Sequence, residues 1–322
     1  MLESVRPIAV VGGGTIGVGW AIVFARAGRS VHLAEPDAER RATVEADLAA
    51  RLGRLASHGL LSQAPGEIAA RVAITGDLAS AVEGAVHVQE CAPESLELKR
   101  TLFGELEALV PADAALATSS SALTISEIAG DLTTRARCIV AHPGNPPYLL
   151  PVVEIVPAPF TDPHVVTRAS ELFSSVGMTP IHVQREIEGF VFNRLQGAVL
   201  REAYCLVRDG IVSPEDVDRV MRDGLGRRWG VLGPFETAEL NTRGGIVAHA
   251  AKMGPAYARM GAERGQHDPW TPELVEQVAA DVQRRLPPEL WDANVARRDE
   301  ALSELERVRR QSGAFGSVPA SP

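Results

Sequence analysis

Ile8-Ala9-Val10-Val11-Gly12-Gly13-Gly14-Thr15-Ile16-Gly17 is the stretch on which the fold turns. Its four apolar residues, bounded by Pro7 and a glycine turn, read as a short buried strand. Helical spacing follows from Thr15 to Ala27, with Gly28 as the stop. The glycines satisfy G-x-G-x-x-G, a weak signal in a chain with 29 glycines. Placed after a strand and at the opening of a helix, it becomes specific. There Gly12 permits the tight turn, Gly14 the close approach of a pyrophosphate, and Gly17 close helix–strand contact. The helix start, with Ile16 in its first turn, supplies amides and a partial positive field. Glu35 ends the following strand, Ser30–Ala34, where an acid accepts bonds from ribose hydroxyls and repels a 2′-phosphate. NAD is therefore expected rather than NADP. Arg40 and Arg41 read as part of a solvated helix face. The motif alone does not separate NAD from FAD, but no second fingerprint follows, which favours a dehydrogenase.

Working outward, the first half alternates strands and helices. Helical segments are expected over Pro36–Leu55 and Leu96–Leu109. Further strands are expected at Val72–Ile74, Val86–Glu90, Ala115–Thr118, Cys138–Ala141 and Val152–Val156. Such alternation is the pattern of a parallel α/β sheet. The character changes near Gln184. An apolar stripe through Phe190, Val191, Leu195, Val199, Ala203 and Leu206 predicts a helix over Ile187–Val207. Ser213-Pro214-Glu215-Asp216 and Thr271-Pro272-Glu273 are helix starts, and a last helix is expected from Pro288 to about Arg310. The fold class is thus α/β, a Rossmann-type N-terminal sheet domain over 1–186 and an all-helical domain over 187–322. The tail from Ser312 is expected to be loose.

Composition narrows the function classes. Across 322 residues the chain is 45% hydrophobic and carries a net charge of −9, which suits a globular protein and gives no reason to expect nucleic acid or anionic membrane as partner. Three scattered cysteines, Cys91, Cys138 and Cys205, suit neither a disulfide framework nor a thiolate metal site, so no metal is expected. No apolar run has the length of a membrane span, and Met1–Arg6 does not look like the start of a secretory signal. A cytoplasmic protein is the expectation.

Several residues carry chemistry. His142 stands where a strand enters Pro143-Gly144-Asn145-Pro146-Pro147, the end of a sheet at which α/β proteins place their sites. Glu154 lies in the apolar run Val152–Val156 and needs a partner when buried; a histidine would serve, gaining a fixed tautomer. A structural His–Glu pair is the competing explanation. Ser119-Ser120-Ser121 either caps a strand-to-helix turn or turns one hydroxyl toward substrate, and spacing does not choose among the three. No G-x-S-x-G elbow surrounds them, which argues against a serine hydrolase. Asn193, near the apolar stripe, reads first as an interhelical bond. Arg228, in Gly224-Leu225-Gly226-Arg227-Arg228-Trp229, can bind a carboxylate in bidentate fashion or lie in an exposed basic loop.

These stretches together resemble the 3-hydroxyacyl-CoA dehydrogenase superfamily, and within it the branch of L-gulonate 3-dehydrogenase and lambda-crystallin. The resemblance is carried by Gln89-Glu90-Cys91-Ala92-Pro93-Glu94-Ser95-Leu96-Glu97-Leu98-Lys99 and by Ala141-His142-Pro143-Gly144-Asn145-Pro146-Pro147-Tyr148. Glu188-Gly189-Phe190-Val191-Phe192-Asn193-Arg194, Asp209-Gly210-Ile211-Val212-Ser213-Pro214, the Arg228 segment and Gly233-Pro234-Phe235-Glu236 continue it in order. It implies an NAD-dependent enzyme, commonly a homodimer through its helical domain. It places the catalytic histidine on His142, its paired glutamate on Glu154, the active-site serine on Ser121 and the substrate-side asparagine on Asn193. Contacts to the nicotinamide half fall on Glu94 and Lys99, and the ribose contact on Glu35, where many relatives carry aspartate. The implied reaction is oxidation of the 3-hydroxyl of a small free acid, foremost L-gulonate to 3-dehydro-L-gulonate, with Arg228 binding the carboxylate. 3-Hydroxybutyrate, L-carnitine and a short 3-hydroxyacyl-CoA are the alternative substrates. A crystallin-like structural protein or an NAD-binding regulator is the non-enzymatic alternative.

Overall fold

Strand β1, Ile8–Val11, is buried along its length, and its residues alternate between two cores. Ile8 and Val10 join Trp20, Phe24, Leu48 and Phe173 on one face. Ala9 and Val11 join Phe103, Leu106, Ile128 and Phe190 on the other. A strand's period of two sends neighbours to opposite faces, and burial of both faces explains an unbroken apolar run. The computed structural model describes residues 6–265, 271–291, 293, 294, 297 and 308. They form two compact units, one up to Leu200 and the other from Arg201 onward.

The first unit is built on one eight-stranded sheet. After β1 come β2 (Val31–Ala34), β3 (Val72–Thr75), β4 (His87–Glu90), β5 (Ala115–Thr118), β6 (Cys138–Pro143), β7 (Val152–Val156) and β8 (Thr179–His182). Their spatial order is β3-β2-β1-β4-β5-β6-β7-β8. The order reverses between β1 and β4, the switch point at which α/β sheets form their ligand crevice. All pairs are parallel except β6 with β7, so the expectation of a parallel sheet fails at that one pair. The short chain between them, from Gly144 to Pro151, is the reason: a parallel return needs a crossover of a dozen or more residues. Strand β8 is not expected from the sequence pattern. It is a half-exposed edge strand containing Pro180, where periodicity is weak and proline is tolerated.

The helix Thr15–Arg26 is buried without interruption from Gly17 to Ala25. Gly12 has φ +109°, and a Cβ there would lie 2.8 Å from the Cys91 carbonyl oxygen. A Cβ on Gly17 would lie 1.8 Å from the Gly12 carbonyl oxygen. Both positions therefore require glycine. The next helix runs Ala38–Ser57, two residues later than expected, because Asp37 caps it by accepting from the Arg40 amide.

The helix expected from Ile187 instead spans Phe192–Arg208. Gly189 and Phe190 adopt φ of +74° and +47°, a left-handed turn that helical geometry excludes. Phe190 is buried, but no residue of the helix proper is, so its apolar stripe is not core within one chain. The division between the two units falls inside this helix.

The second unit's described elements are all helical. Pro214–Arg219, a π-helical turn at Val220–Leu225 and Gly226–Trp229 run on without a break. Ser213 caps the start, as its sequence grammar predicts. Pro234–Asn241, Gly245–Glu263 and Pro272–Arg285 follow. Their core gathers Leu240, Ile246, Ala279, Val282 and Leu286. Buried Glu239 accepts from the Ile246 amide at the start of the long helix. Of the helix expected over 288–310, the described start is a 3-10 turn at Pro288–Leu290; most of the rest, and the tail from 312, lie outside the described residues.

The tight Gly17–Gly12 approach yields a direct expectation. Gly17→Ala should destabilise the protein by about 3 kcal/mol, the upper end of ordinary overpacking. Urea unfolding at neutral pH measures it, and an unshifted midpoint would show that turn and helix are not in contact.

Candidate active site

Antiparallel pairing of β6 and β7 sets His142 directly opposite Glu154. Residues opposed across such a pair share one face of the sheet. His142 Nδ1 lies 2.7 Å from Glu154 Oε2, with both side chains buried. The other carboxylate oxygen, Oε1, accepts from the amides of Val191 at 2.7 Å and Phe192 at 3.0 Å. Those N–H groups are free because they open the helix Phe192–Arg208, so the displaced helix start serves the glutamate directly. Burial pushes the Glu154 carboxyl up, but the His142 bond and the Phe192 and Val191 amides outweigh it and hold it below the usual range. An ionised carboxylate can only accept, so Nδ1 carries a proton in this pair. His142 Nε2 makes no hydrogen bond among the described residues. The rings of Phe190 and Phe192 stand 5.6 and 6.3 Å from the imidazole.

The three serines after β5 separate by their partners. Ser119 Oγ is taken by Trp20 Nε1, Gln89 Nε2 and Cys91 Sγ. Ser120 Oγ donates to Glu94 Oε1 at 2.6 Å and accepts from the Leu123 amide. Ser121 Oγ has no partner among the described residues, which leaves it as the available hydroxyl. Asn193 Nδ2 donates to the Ser121 carbonyl at 3.1 Å, so the structure brings these two expected residues together.

Glu94 reaches the same turn. Its Oε1 accepts from the Ser120 hydroxyl and from the Ser121 and Ala122 amides. Burial raises its carboxyl, yet the Ser120 hydroxyl, Lys99 and these amides together hold it below the usual range. Lys99 is 1% exposed and donates to both oxygens of Glu90, at 2.8 and 2.9 Å, and to the Ala92 carbonyl. Its ammonium lies 3.6 Å from Glu94. Three protons are thus engaged within the protein. Glu90 itself is fully buried and also accepts from the Ala92 amide and Thr118 hydroxyl. Sequence reasoning passed over Glu90 as a site residue. An acid closing a short apolar strand, nine residues before one of the chain's two lysines, was the available signal.

The glycine turn is held from both sides. Glu35 accepts the Gly13 amide on Oε2 at 2.7 Å and the Asp37 amide on Oε1 at 3.0 Å. Arg40 Nε donates to the Gly13 carbonyl at 2.7 Å, and Arg41 donates to the carbonyls of Glu35 and Pro36. The two arginines are therefore not a solvated face; their guanidiniums find backbone acceptors that a face assignment from spacing ignores. NAD fits these groups. A Cβ built on Gly14 meets nothing within 4 Å, and no side chain caps the helix that begins at Thr15. Open space therefore faces the uncapped first-turn amides, including that of Ile16, where a pyrophosphate belongs. Each Glu35 oxygen keeps a second lone pair for ribose hydroxyls.

In the second unit, Leu225 ends the π-helical turn, and Arg228 and Trp229 lie three and four residues beyond it in the helix that follows. They line a cavity of about 520 Å³ with Phe235, His249 and Tyr257. The Arg228 side chain has no hydrogen bond or ion pair among the described residues. No cluster of three metal-ligating side chains occurs among the described residues. No described helix is long and apolar enough to cross a membrane.

Comparison with known proteins agrees with this geometry. Residues 7–187 match the 3-hydroxyacyl-CoA dehydrogenase NAD-binding domain, and residues 189–283 match the C-terminal domain of the same family. A lambda-crystallin homolog from Bos taurus is 40% identical over 311 residues, covering 94% of this chain and 96% of its own. An L-carnitine dehydrogenase/betainyl-CoA thioesterase from Rhizobium meliloti is 34% identical over 97% of this chain and 60% of its own length. The crystal structure of an NAD+-dependent dismutase, a 5-dehydrogenase of a formyl-hydroxy-methylpyridine carboxylic acid, superposes with TM-score 0.71 at 27% identity, covering 92% of this chain and 98% of that one. Since the two family domains adjoin and together span most of the sequence, the chain belongs to the 3-hydroxyacyl-CoA dehydrogenase superfamily and is an NAD-dependent 3-hydroxy(acyl) dehydrogenase.

Proposed function

We propose that the protein oxidises the 3-hydroxyl of a small free hydroxy acid, with L-gulonate, giving 3-dehydro-L-gulonate, as its foremost substrate. The observation that carries this reading is the His142–Glu154 pair, with Nδ1 occupied and Nε2 without a protein partner. His142 removes the alcohol proton at Nε2, and Glu154 stabilises the resulting imidazolium. Bound at the glycine turn and Glu35, NAD would supply the hydride acceptor for the carbinol carbon. The Ser121 hydroxyl and Asn193 position the substrate oxygen, Asn193 also holding the Ser121 backbone. Gly12, Gly14, Ile16, Gly17 and Glu35 receive the adenosine and pyrophosphate half of the cofactor. Glu94 serves the nicotinamide half, and Lys99 acts there through Glu90 and Glu94, since its own donors are engaged. Arg228 binds the substrate carboxylate, a role supported by its unpaired guanidinium on a cavity wall.

The same cavity favours a second reading. Trp229, Phe235 and Tyr257 line it together with Arg228, and L-carnitine carries both a carboxylate for the arginine and a quaternary ammonium for aromatic faces. We further propose a cytoplasmic homodimer, with 1–186 as cofactor domain and 187–322 as substrate and dimerisation domain. Leu195, Leu200 and Tyr204, exposed by 59%, 46% and 75% on one helix, supply apolar surface for such an interface.

A panel of L-gulonate, L-carnitine, 3-hydroxybutyrate and a short 3-hydroxyacyl-CoA, followed by NADH absorbance with NAD and NADP, tests the reading. Fastest turnover is expected with L-gulonate and NAD; fastest turnover of carnitine would install the second reading. His142→Ala should lower turnover by about 10²–10⁴-fold and leave NADH affinity near wild type. Full activity in that variant would remove the base.

Arg228→Met should raise KM for L-gulonate about 10-fold or more, the worth of a lost charge-assisted hydrogen bond. An unchanged KM sinks the anchor.

Glu154 also predicts a pH dependence of stability. Its carboxyl ionises lower in the folded chain than in the unfolded one. The stability it contributes is therefore complete above the ordinary value of about 4.3 and is lost as pH falls through the lowered folded value. Glu154→Gln should show a smaller drop in urea midpoint than wild type between pH 6 and roughly pH 3. Identical drops would mean the carboxylate is not held as described.

A further inference from the structure

Behind His142, on the opposite face of the sheet, lies a closed chain of buried and half-buried polar groups that the reaction scheme leaves unused. Gln89 on β4 belongs with His87 to the face of Trp20 and Phe173, whereas His142 shares its face with Phe190. Gln89 is fully buried. Its Nε2 donates to Ser119 Oγ at 2.7 Å and to the Ala141 carbonyl at 3.2 Å, while Oε1 meets His87 Nε2 at 3.0 Å. Only the amide nitrogen can face the Ala141 carbonyl, because two acceptors would repel; this fixes the amide's orientation. Oε1 then requires the His87 proton on Nε2. Burial lowers the His87 pKa to about 4, so this imidazole stays neutral at physiological pH. Trp20 Nε1 donates to Ser119 Oγ at 3.1 Å, and the Ser119 proton is left for Cys91 Sγ at 3.3 Å. Burial holds that thiol protonated, its pKa pushed up to about 12, and its proton is directed at the Gln89 carbonyl. Every polar hydrogen in the chain thus has one acceptor, and the network admits a single arrangement.

Its position is the telling feature. Register between β5 and β6 ends at Thr118 opposite Val140. Ala141 is the next residue of β6, and its carbonyl is met by Gln89 reaching across from β4. Ser119, the other acceptor, lies two residues before Ser121. One amide therefore ties together the two strand ends that carry His142 and Ser121.

We propose that Gln89 is a positioning residue for the dehydrogenase reaction, holding the Ala141–His142 peptide and the Ser119–Ser121 turn in fixed relation through its bonds to the Ala141 carbonyl and Ser119 hydroxyl. The proposal rests on His142 being the base. Gln89→Met keeps length and bulk while neither donating to Ala141 nor accepting from His87. In the full-length protein, with the fastest of the four panel substrates, kcat should fall about 10- to 100-fold, the scale for a displaced catalytic group. KM for NAD should stay within about twofold, because the cofactor's contacts are untouched. The low-field proton resonance of the His142 Nδ1–H bond to Glu154 should shift or vanish, a change that uniform loss of stability does not produce. Ser119→Ala, a smaller deletion that removes one anchor of the Gln89 amide, should lower kcat in the same direction and serves if Gln89→Met does not fold. A folded variant with wild-type kcat and an unmoved resonance overturns the proposal, as does a loss confined to KM for NAD. His142→Ala measured alongside separates the two ideas. Activity retained there defeats the base assignment itself, while activity lost there and kept in Gln89→Met defeats only the positioning role.

Discussion

One carboxylate accepting three N–H groups organises the candidate site. Glu154 takes the His142 imidazole on one oxygen and two helix-start amides on the other. Each donor comes from a different constraint. The imidazole is opposite because β6 and β7 run antiparallel, and the amides are available because the left-handed turn at Gly189–Phe190 postpones the helix. A buried carboxylate costs several kcal/mol in desolvation unless such donors are supplied. Here they are, and the group ionises more readily than in water. The pair therefore acts as a fixed negative charge behind an imidazole rather than as a proton reservoir.

The same solution recurs at the end of β4. Glu90, fully buried, is neutralised by Lys99 and further bonded by Thr118 and the Ala92 amide. Removing one partner of such a pair costs about 3–5 kcal/mol, whereas an apolar replacement of both is often neutral. Stability alone therefore does not explain the ions. Their placement does: Lys99 also approaches Glu94, and Glu94 binds the backbone of the turn that presents the Ser121 hydroxyl. Charge buried at the end of a central strand fixes a loop geometry that apolar packing, being non-directional, does not specify.

Much of this was legible from residues. The strand–glycine–helix sequence at Ile8–Gly17 announced its own geometry, because two of its glycines sit where any side chain would strike a carbonyl. His142 and Glu154 could be suspected as partners because a lone acid in an apolar strand must find one. Which serine was free could not be read, since it depends on Trp20, Gln89 and Glu94 arriving from three other elements. The start of the helix near Asn193 was misplaced for a related reason. Apolar spacing continues through Ile187–Val191, and only the conformation of Gly189 and Phe190 breaks it. Arg40 and Arg41 looked solvated because periodicity sees faces, not the backbone carbonyls a guanidinium can reach. Nonlocal hydrogen bonds decide which serine is free, while a local backbone conformation sets the helix start.

The division of labour between the two nitrogens of His142 has a consequence for reversibility. With Nδ1 committed to Glu154, the proposed reaction would place the alcohol proton at Nε2. The same nitrogen must return it when the ketone is reduced. The Glu154 carboxyl lies below the usual range, and the two amides on its other oxygen favour the ionised form. It lowers the energy of the protonated imidazole without competing for the proton. On the proposed mechanism the reacting proton therefore exchanges through Nε2, without rearrangement of the His–Glu pair.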